Sequence, residues 1–562
     1  MYPSLDLLNK LQGDLARDLL AFLPEVIISI TIVSMLLLRL FSRFDKLHLH
    51  WLALTGSLAA LGLVVLQWSG LAYWKIAEAG YSWQHCFEEA RAAWSLLPVP
   101  AADIQSFSCF TGLVHYDSLT VYIRLLLLVF LALVLILTLL TGLPDRSDSA
   151  DFGTLIMGST LGMMLMGSAV HLMMIFIAIE MASVPSYVLA GFLKGKKRGS
   201  EAALKYVVYG ASASGVMLYG ISLLVGKFGT GFLPDLSAGY RDILDKGVAD
   251  PILVAGTVLI LIGLCFKLAV VPFHFWLPDV FEGASAEVGA FLSVASKAAA
   301  LVVTMRFVMG LAGGVGSQSI VYLSGSFGLF LAAIAATTAT LGNLAALAQS
   351  NLKRMLGYST IAHAGYMLMA MVPMMAEGSS TVAFYLIAYL FMNLGAFAVV
   401  AFLRNQTGSE DLSAYAGMIH RSPLMVICLA IFLLSLLGLP PLAGFAAKFQ
   451  IFAFLYKTSQ QYSNVFPIMS YTLIALLILA GLNTVISAGF YLRVLRVMIL
   501  EAPPAGQHST LKTPKFQSAY VIVLAGAVIL SGIFWNQLSR AAEHGLSVYY
   551  PEPAQYRMNK LQ

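Results

Sequence analysis

The chain has 562 residues, of which 59% are hydrophobic and only 11% charged, where a soluble domain averages about 25% charged. With a mean hydropathy of +0.83, that composition excludes a large water-soluble helical protein. A formal charge of +5 then belongs to basic loops facing anionic lipid, and no nucleic-acid partner is expected.

The amino terminus, MYPSLDLLNKLQGDLARDLLAFLPE, carries Asp6, Asp14 and Asp18 among its leucines and lacks a small-residue cleavage box, so it does not read as a signal peptide. Leu5, Leu8, Leu11, Leu15 and Leu19 recur at helical spacing and predict a short surface helix. Apolar runs of spanning length follow. They predict fourteen crossings, at 20–41, 50–70, 118–141, 152–169, 172–191, 202–225, 251–271, 286–308, 322–346, 358–375, 381–403, 423–456, 468–496 and 516–537. The fold class is therefore an all-α polytopic membrane protein.

Two loops exceed what a bundle needs. Residues 71–117 mix Trp74, Trp83 and Trp94 with acidic side chains and read as an interfacial or docking segment; residues 226–250 read as an external loop with about one helical turn. Placing both termini outside gathers Arg39, Lys196, Lys197, Arg198, Lys353, Arg354, Arg404, Arg493 and Arg496 on inner loops, as the positive-inside rule favours. Cys86, Cys109, Cys265 and Cys428 show no CxxC spacing, and Cys86 with Cys109 could bond if their shared loop meets an oxidising compartment.

Ionisable residues inside the apolar runs are few, and each costs about 2.5 to 3.5 kcal/mol to insert at the bilayer centre. Glu180 is the one charge in its span and Lys205 opens the next, so the two are expected to pair across adjacent helices. Lys267 precedes Pro272, which should break its helix; Lys297 follows in SVASKA, with Gly289, Ser293 and Ser296 leaving room for water. Lys448 follows a second break at Pro440 and Pro441, loosened by Gly438 and Gly444. A lysine before one break and after the other is the pattern of inverted-topology repeats, whose broken helices line ion paths in transporters.

These lysines and the glutamate read as a proton relay. His171, His274 and His363 could extend it, His363 foremost because Tyr358, Ser359, Thr360 and Tyr366 offer hydroxyl partners; a histidine satisfied by backbone is as good a reading of any one of them. A fixed ion pair that merely holds helices together is the structural alternative for Glu180 and Lys205.

The stretches LGMMLMGSAVHLMMIFIAIEMASVPSYVLAG, EAALKYVVYGASASGVMLYG, GLCFKLAVVPFHFWLPDVFEGA, FLSVASKAA, NLKRMLGYSTIAHAGYM and LLGLPPLAGFAAKF resemble the proton-translocating, antiporter-like membrane subunits of respiratory complex I, subunit N or ND2 type above all, over residues 20–500. The resemblance implies five-helix inverted repeats with two broken helices, in units 1–117, 118–310, 311–500 and 501–562. It also implies a relay of Glu180, Lys205, Lys267, Lys297 and Lys448, no cofactor in this chain, and NADH oxidation and quinone reduction in other subunits. Implied neighbours are an M-type subunit on one side, small K-, J- and A-type subunits on the other, and lipid. The implied place is a bacterial inner membrane with both termini periplasmic. An Mrp-type cation/proton antiporter is the alternative, and a scaffold subunit whose buried charges only organise packing is a third reading. One departure is GASAEV, where the family commonly has GAPTPV, so that Glu287 stands in place of a proline.

Overall fold

A computed structural model describes residues 14–41, 48–71, 73–77, 82–85, 88, 104, 106–144, 148–193, 195–245, 250–312, 324–503, 511 and 514–547. Residues 1–13, with most of the expected surface helix, and Cys86 and Trp94 lie outside them, so the Cys86–Cys109 bond does too.

Nineteen helices of seven or more residues are present in the described chain, numbered here in order. A short α1 (Asp14–Ala21) meets α2 (Leu23–Arg39) at a bend of 70°. Then come α3 (His50–Trp68), α4 (Ser118–Thr141), α5 (Ser149–Ser168), α6 (Leu172–Ala190), α7 (Lys197–Phe228) and α8 (Leu233–Asp245). The first broken helix is α9 (Pro251–Leu268) with α10 (Trp276–Gly283), followed by α11 (Ala286–Ala312), α12 (Leu329–Leu347), α13 (Leu352–Met371) and α14 (Ala376–Thr407). The second is α15 (Pro423–Leu437) with α16 (Ala443–Tyr462), and α17 (Pro467–Leu500), α18 (Lys515–Ile533) and α19 (Trp535–Ser547) close the chain.

Each of the fourteen expected crossings falls on one of these helices or on a broken pair. Ten are individually long and apolar enough to span a bilayer, eleven if the bent pair is one span. The protein is a multi-pass membrane protein. Helices α11 and α14 form its centre: the apolar window of α11 is wholly buried and that of α14 is 89% buried, whereas those of α7 and α17 are one-third buried and face outward.

Buried polar contacts fix the helix ends. Asp117 caps α4 by accepting from the Thr120 amide at 2.8 Å, and the same carboxylate receives both terminal nitrogens of Arg306 from α11, at 2.9 and 2.7 Å. Glu25 on α2 accepts from Arg124 Nε on α4 at 2.6 Å, both side chains being buried.

The 226–250 loop differs from expectation. In place of one turn it holds the 13-residue α8, because Leu233, Leu236 and Tyr240 fall on one helical face and are all buried. The 71–117 loop contains a turn of 3-10 helix at Tyr73–Ala77 and a small hairpin in which Phe107 pairs with Tyr116.

Candidate functional site: buried lysines at two helix breaks

Both breaks end their first half in the left-handed region. Ala269 stands at φ 53° after α9, and Gly438 at φ 93° after α15. Each donates its amide back into the last turn of the helix before it. The halves are unequal and opposite in order: 18 then 8 residues at the first break, 15 then 20 at the second.

A helix that stops inside protein leaves carbonyls without intrahelical partners, and its end carries about half a negative charge. Here lysines take up those carbonyls. The Lys297 ammonium, on α11, donates to Leu268 O at 2.6 Å, and the Trp276 indole donates to Phe266 O at 3.2 Å. At the second break Lys448, on α16, donates to Leu437 O at 3.0 Å. Each ammonium also lies over an aromatic face, Lys297 at 5.4 Å from the Trp276 ring centre and Lys448 at 4.8 Å from that of Tyr366. Lys297 is 0% exposed and Lys448 4%.

Lys267, fully buried in the last turn of α9, donates to Ser183 Oγ on α6 at 2.8 Å. Ser183 follows Glu180 by three residues on that helix, so both share a face. The Glu180 carboxylate accepts a short hydrogen bond from Ser214 on α7.

The expected ion pair between Glu180 and Lys205 is not formed. Lys205 Nζ lies 2.7 Å from both Asp279 of α10 and Glu201 one turn earlier. Glu180 meets α7 at Ser214, nine residues beyond Lys205, which is about 13.5 Å along the axis. A lysine side chain does not cover that distance. Asp279 and Glu282 also receive Arg354 at 2.8 and 2.6 Å, making one network of α7, α10 and α13.

His363 of α13 is buried between hydroxyls: Tyr385 Oη lies 2.6 Å from Nδ1, and Tyr491 Oη lies 3.3 Å from Nε2 and 2.5 Å from Ser359 Oγ. His171 instead caps α6, its Nδ1 accepting from the Met173 amide, and His274 sits in the first break with Nδ1 buried and unbonded.

Between the two lysine sites runs a stripe of α14. Tyr385, Tyr389 and Asn393 are four residues apart and so lie on one face. Tyr385 meets His363, Tyr389 donates to Thr360 Oγ1 at 3.0 Å, and Asn393 donates to Ser293 Oγ at 2.5 Å, one turn before Lys297 on α11. Sequence reading missed this stripe, and also Ser183, Asp279 and the two carbonyls. Asp279 could have been found in the motif PFHFWLPD; the others leave no charge to notice. Among the described residues no three His, Cys, Asp or Glu side chains come together as a metal site.

Comparison with known proteins agrees with this architecture. The family described as NADH:quinone oxidoreductase/Mrp antiporter, TM, matches residues 169–480, which contain both breaks and all the lysines above. The NADH-quinone oxidoreductase subunit N of Anaeromyxobacter sp. (strain Fw109-5) is 37% identical over 468 residues, 82% of this chain and 89% of that one. The NAD(P)H-quinone oxidoreductase subunit 2 of Gloeobacter violaceus is 34% identical over 533 residues, 93% and 91% of the two chains. Among solved structures, a chain of respiratory complex I from Thermus thermophilus with bound aureothin superposes with a TM-score of 0.68 at 28% identity, over 92% of this chain and 99% of that one. A chain of the Mrp complex from Dietzia sp. DQ12-45-1b gives 0.72 at 17% identity, over 95% and 97%, a likeness of fold alone. The chain belongs to the NADH:quinone oxidoreductase/Mrp antiporter transmembrane family.

Proposed function

We infer that this chain is the N-type membrane subunit of a proton-pumping NADH:quinone oxidoreductase, and that it carries protons across the bilayer while NADH is oxidised and quinone reduced in other subunits. The observation that carries the reading is the set of three buried ammonium groups, Lys267, Lys297 and Lys448, at two helix breaks, with the hydroxyl and amide groups of the α14 stripe lying between the breaks. Each lysine binds a proton as an ammonium and releases it as a neutral amine, and a change at one charge alters its neighbours.

In this reading Glu180 biases Lys267; Lys267 and Lys297 exchange across the first break; and His363 with Tyr385 and Tyr491 passes protons to Lys448. Lys205, with Asp279 and Arg354, sits at the rim and couples α7 to the broken helix. The chain supplies no redox centre. It works within a multi-subunit membrane complex, between an M-type neighbour and small K-, J- and A-type subunits, in a bacterial inner membrane with both termini periplasmic. The units 118–310 and 311–500 hold one break each, flanked by 1–117 and 501–562. The Mrp-type alternative is favoured by fold likeness, while the curated relatives at 34 to 37% identity carry quinone-oxidoreductase names.

The test is proton uptake by the whole complex in vesicles during NADH oxidation. Lys267→Ala, Lys297→Ala and Lys448→Ala each lower uptake in complexes that assemble. Wild-type uptake in all three overturns the relay.

A further inference from the structure

Glu287 occupies the first turn of α11 and is 1% exposed, yet neither of its carboxylate oxygens has a hydrogen-bond partner. A buried carboxylate without a donor is costly when ionised, and such a group in a folded protein calls for an explanation. Two features lie beside it: the amino-terminal end of α11, and the segment before that end, which the buried Lys353 holds. Lys353 donates to Ala284 O, three residues before Glu287, at 2.5 Å and pairs with Glu410 at 2.8 Å, and Arg404 lies 3.9 Å from Glu410. Glu410 and Arg404 act on Lys353, and Glu282, five residues before Glu287, is bonded to Arg354.

Inward from Glu287 the polar atoms continue. Ser293 is bonded to Asn393, while Asn393 Oδ1 and Ser296 Oγ are buried with no partner. Lys297 stands next to Ser296, about 15 Å along the helix axis from Glu287. Unbonded buried oxygens at successive levels are the places where water completes a hydrogen-bond path.

We propose that Glu287 is a proton-binding carboxyl group that loads Lys297 from the rim held by Lys353 and Glu410. The inference rests on the proton-relay reading above. In the loading step the O–H bond of the Glu287 acid breaks and, through intervening water, an N–H bond forms on the neutral Lys297 amine. The carboxylate that remains is held by Lys353 and the helix end until it takes a proton from the rim. With Lys297 charged and Glu287 ionised, the path is spent until Lys297 passes its proton on, which gives the step a direction.

The experiment uses the intact complex in vesicles. Glu287→Gln keeps shape and polarity but cannot carry the proton, so uptake falls by about tenfold or more, and Glu287→Asp retains a substantial share. Difference infrared spectra of the wild type over the working pH range show a carboxylic acid band that the Gln variant lacks and the Asp variant shifts. Wild-type uptake by Glu287→Gln overturns the proposal, as does a wild-type spectrum without that band, which can be recorded even if the Gln variant fails to assemble. Loss of uptake in Lys297→Ala with full uptake in Glu287→Gln removes this inference and leaves the relay; full uptake in both, and in Lys267→Ala and Lys448→Ala as well, removes the relay itself.

Discussion

Ser183 offers a direct test of how Lys267 is held. Its hydroxyl donates to Ile179 O at 2.6 Å one turn back, which turns the oxygen lone pairs toward the Lys267 ammonium at 2.8 Å. Among the described residues no second protein acceptor meets that ammonium. A hydrogen bond to a charged group is worth about 1.5 to 3 kcal/mol, so Ser183→Ala makes the loaded lysine rarer by roughly ten- to a hundredfold. Ser183→Thr keeps the oxygen and the back-bond to Ile179, and it should keep most of the function. The assay is proton uptake per NADH oxidised by the complex in vesicles, with assembly checked by native gel. Ser183→Ala lowers the ratio and Ser183→Thr does not. An unchanged ratio in Ser183→Ala, beside a clear loss in Lys267→Ala, would refute the assignment of this hydroxyl as the seat of the charge.

Thermal unfolding in detergent distinguishes the partners of Lys205: a double-mutant cycle of Lys205→Ala with Asp279→Asn should show coupling of about 0.2 to 1 kcal/mol, as for half-exposed pairs, and the cycle with Glu180→Gln should be additive. The reverse pattern would restore the pair that the sequence suggests. Arg124→Ala strands the buried Glu25 carboxylate and should destabilise by about 3 to 5 kcal/mol, with recovery on adding Glu25→Gln; a small effect would mean that water reaches this site. Gly438→Ala forces a side chain into the left-handed region, at about 1 to 2 kcal/mol, and sets its Cβ 3.0 Å from Lys448 Cδ. Lower thermal stability and lower proton uptake should therefore appear together, and a stable variant with full uptake would show that Lys448 does not depend on this turn.

The crossings were legible because a bilayer demands long apolar runs whatever their order, and Pro272 and Pro440 marked the breaks because proline removes a donor. The pairing of charges was not. Adjacency of α6 and α7 in sequence says that their side chains can meet, but not at which level, and the rise of 1.5 Å per residue puts Ser214 rather than Lys205 opposite Glu180. Helix α8 was hidden for a different reason. Its buried face is short, Leu233, Leu236, Ser237 and Tyr240, and the polar and small residues of the run give it the composition of a loop. The acceptors of Lys297 and Lys448 are main-chain carbonyls, which every residue has and no letter of the sequence distinguishes.

Those carbonyls bear on the proton cycling proposed for the lysines. A buried ammonium facing a carboxylate is hard to discharge, because losing the proton leaves the anion alone in a medium where an unpaired charge costs several kcal/mol. At both breaks the direct acceptor is a dipole: Leu268 O for Lys297 and Leu437 O for Lys448. A carbonyl at a helix end stabilises the cation and remains a neutral acceptor when the amine is neutral, since an amine still has N–H groups to give it. Both protonation states of the lysine are therefore satisfied in one geometry. The two halves reach this by different routes, Lys297 from the helix after the first break and Lys448 from the second half of its own broken helix, so the requirement lies in the carbonyl left free by the break. The same reasoning sets Glu180 apart. It lies one turn from Ser183 on α6, and the hydroxyl, not the carboxylate, is the direct partner of Lys267, so in the proposed relay no ion pair traps the proton there.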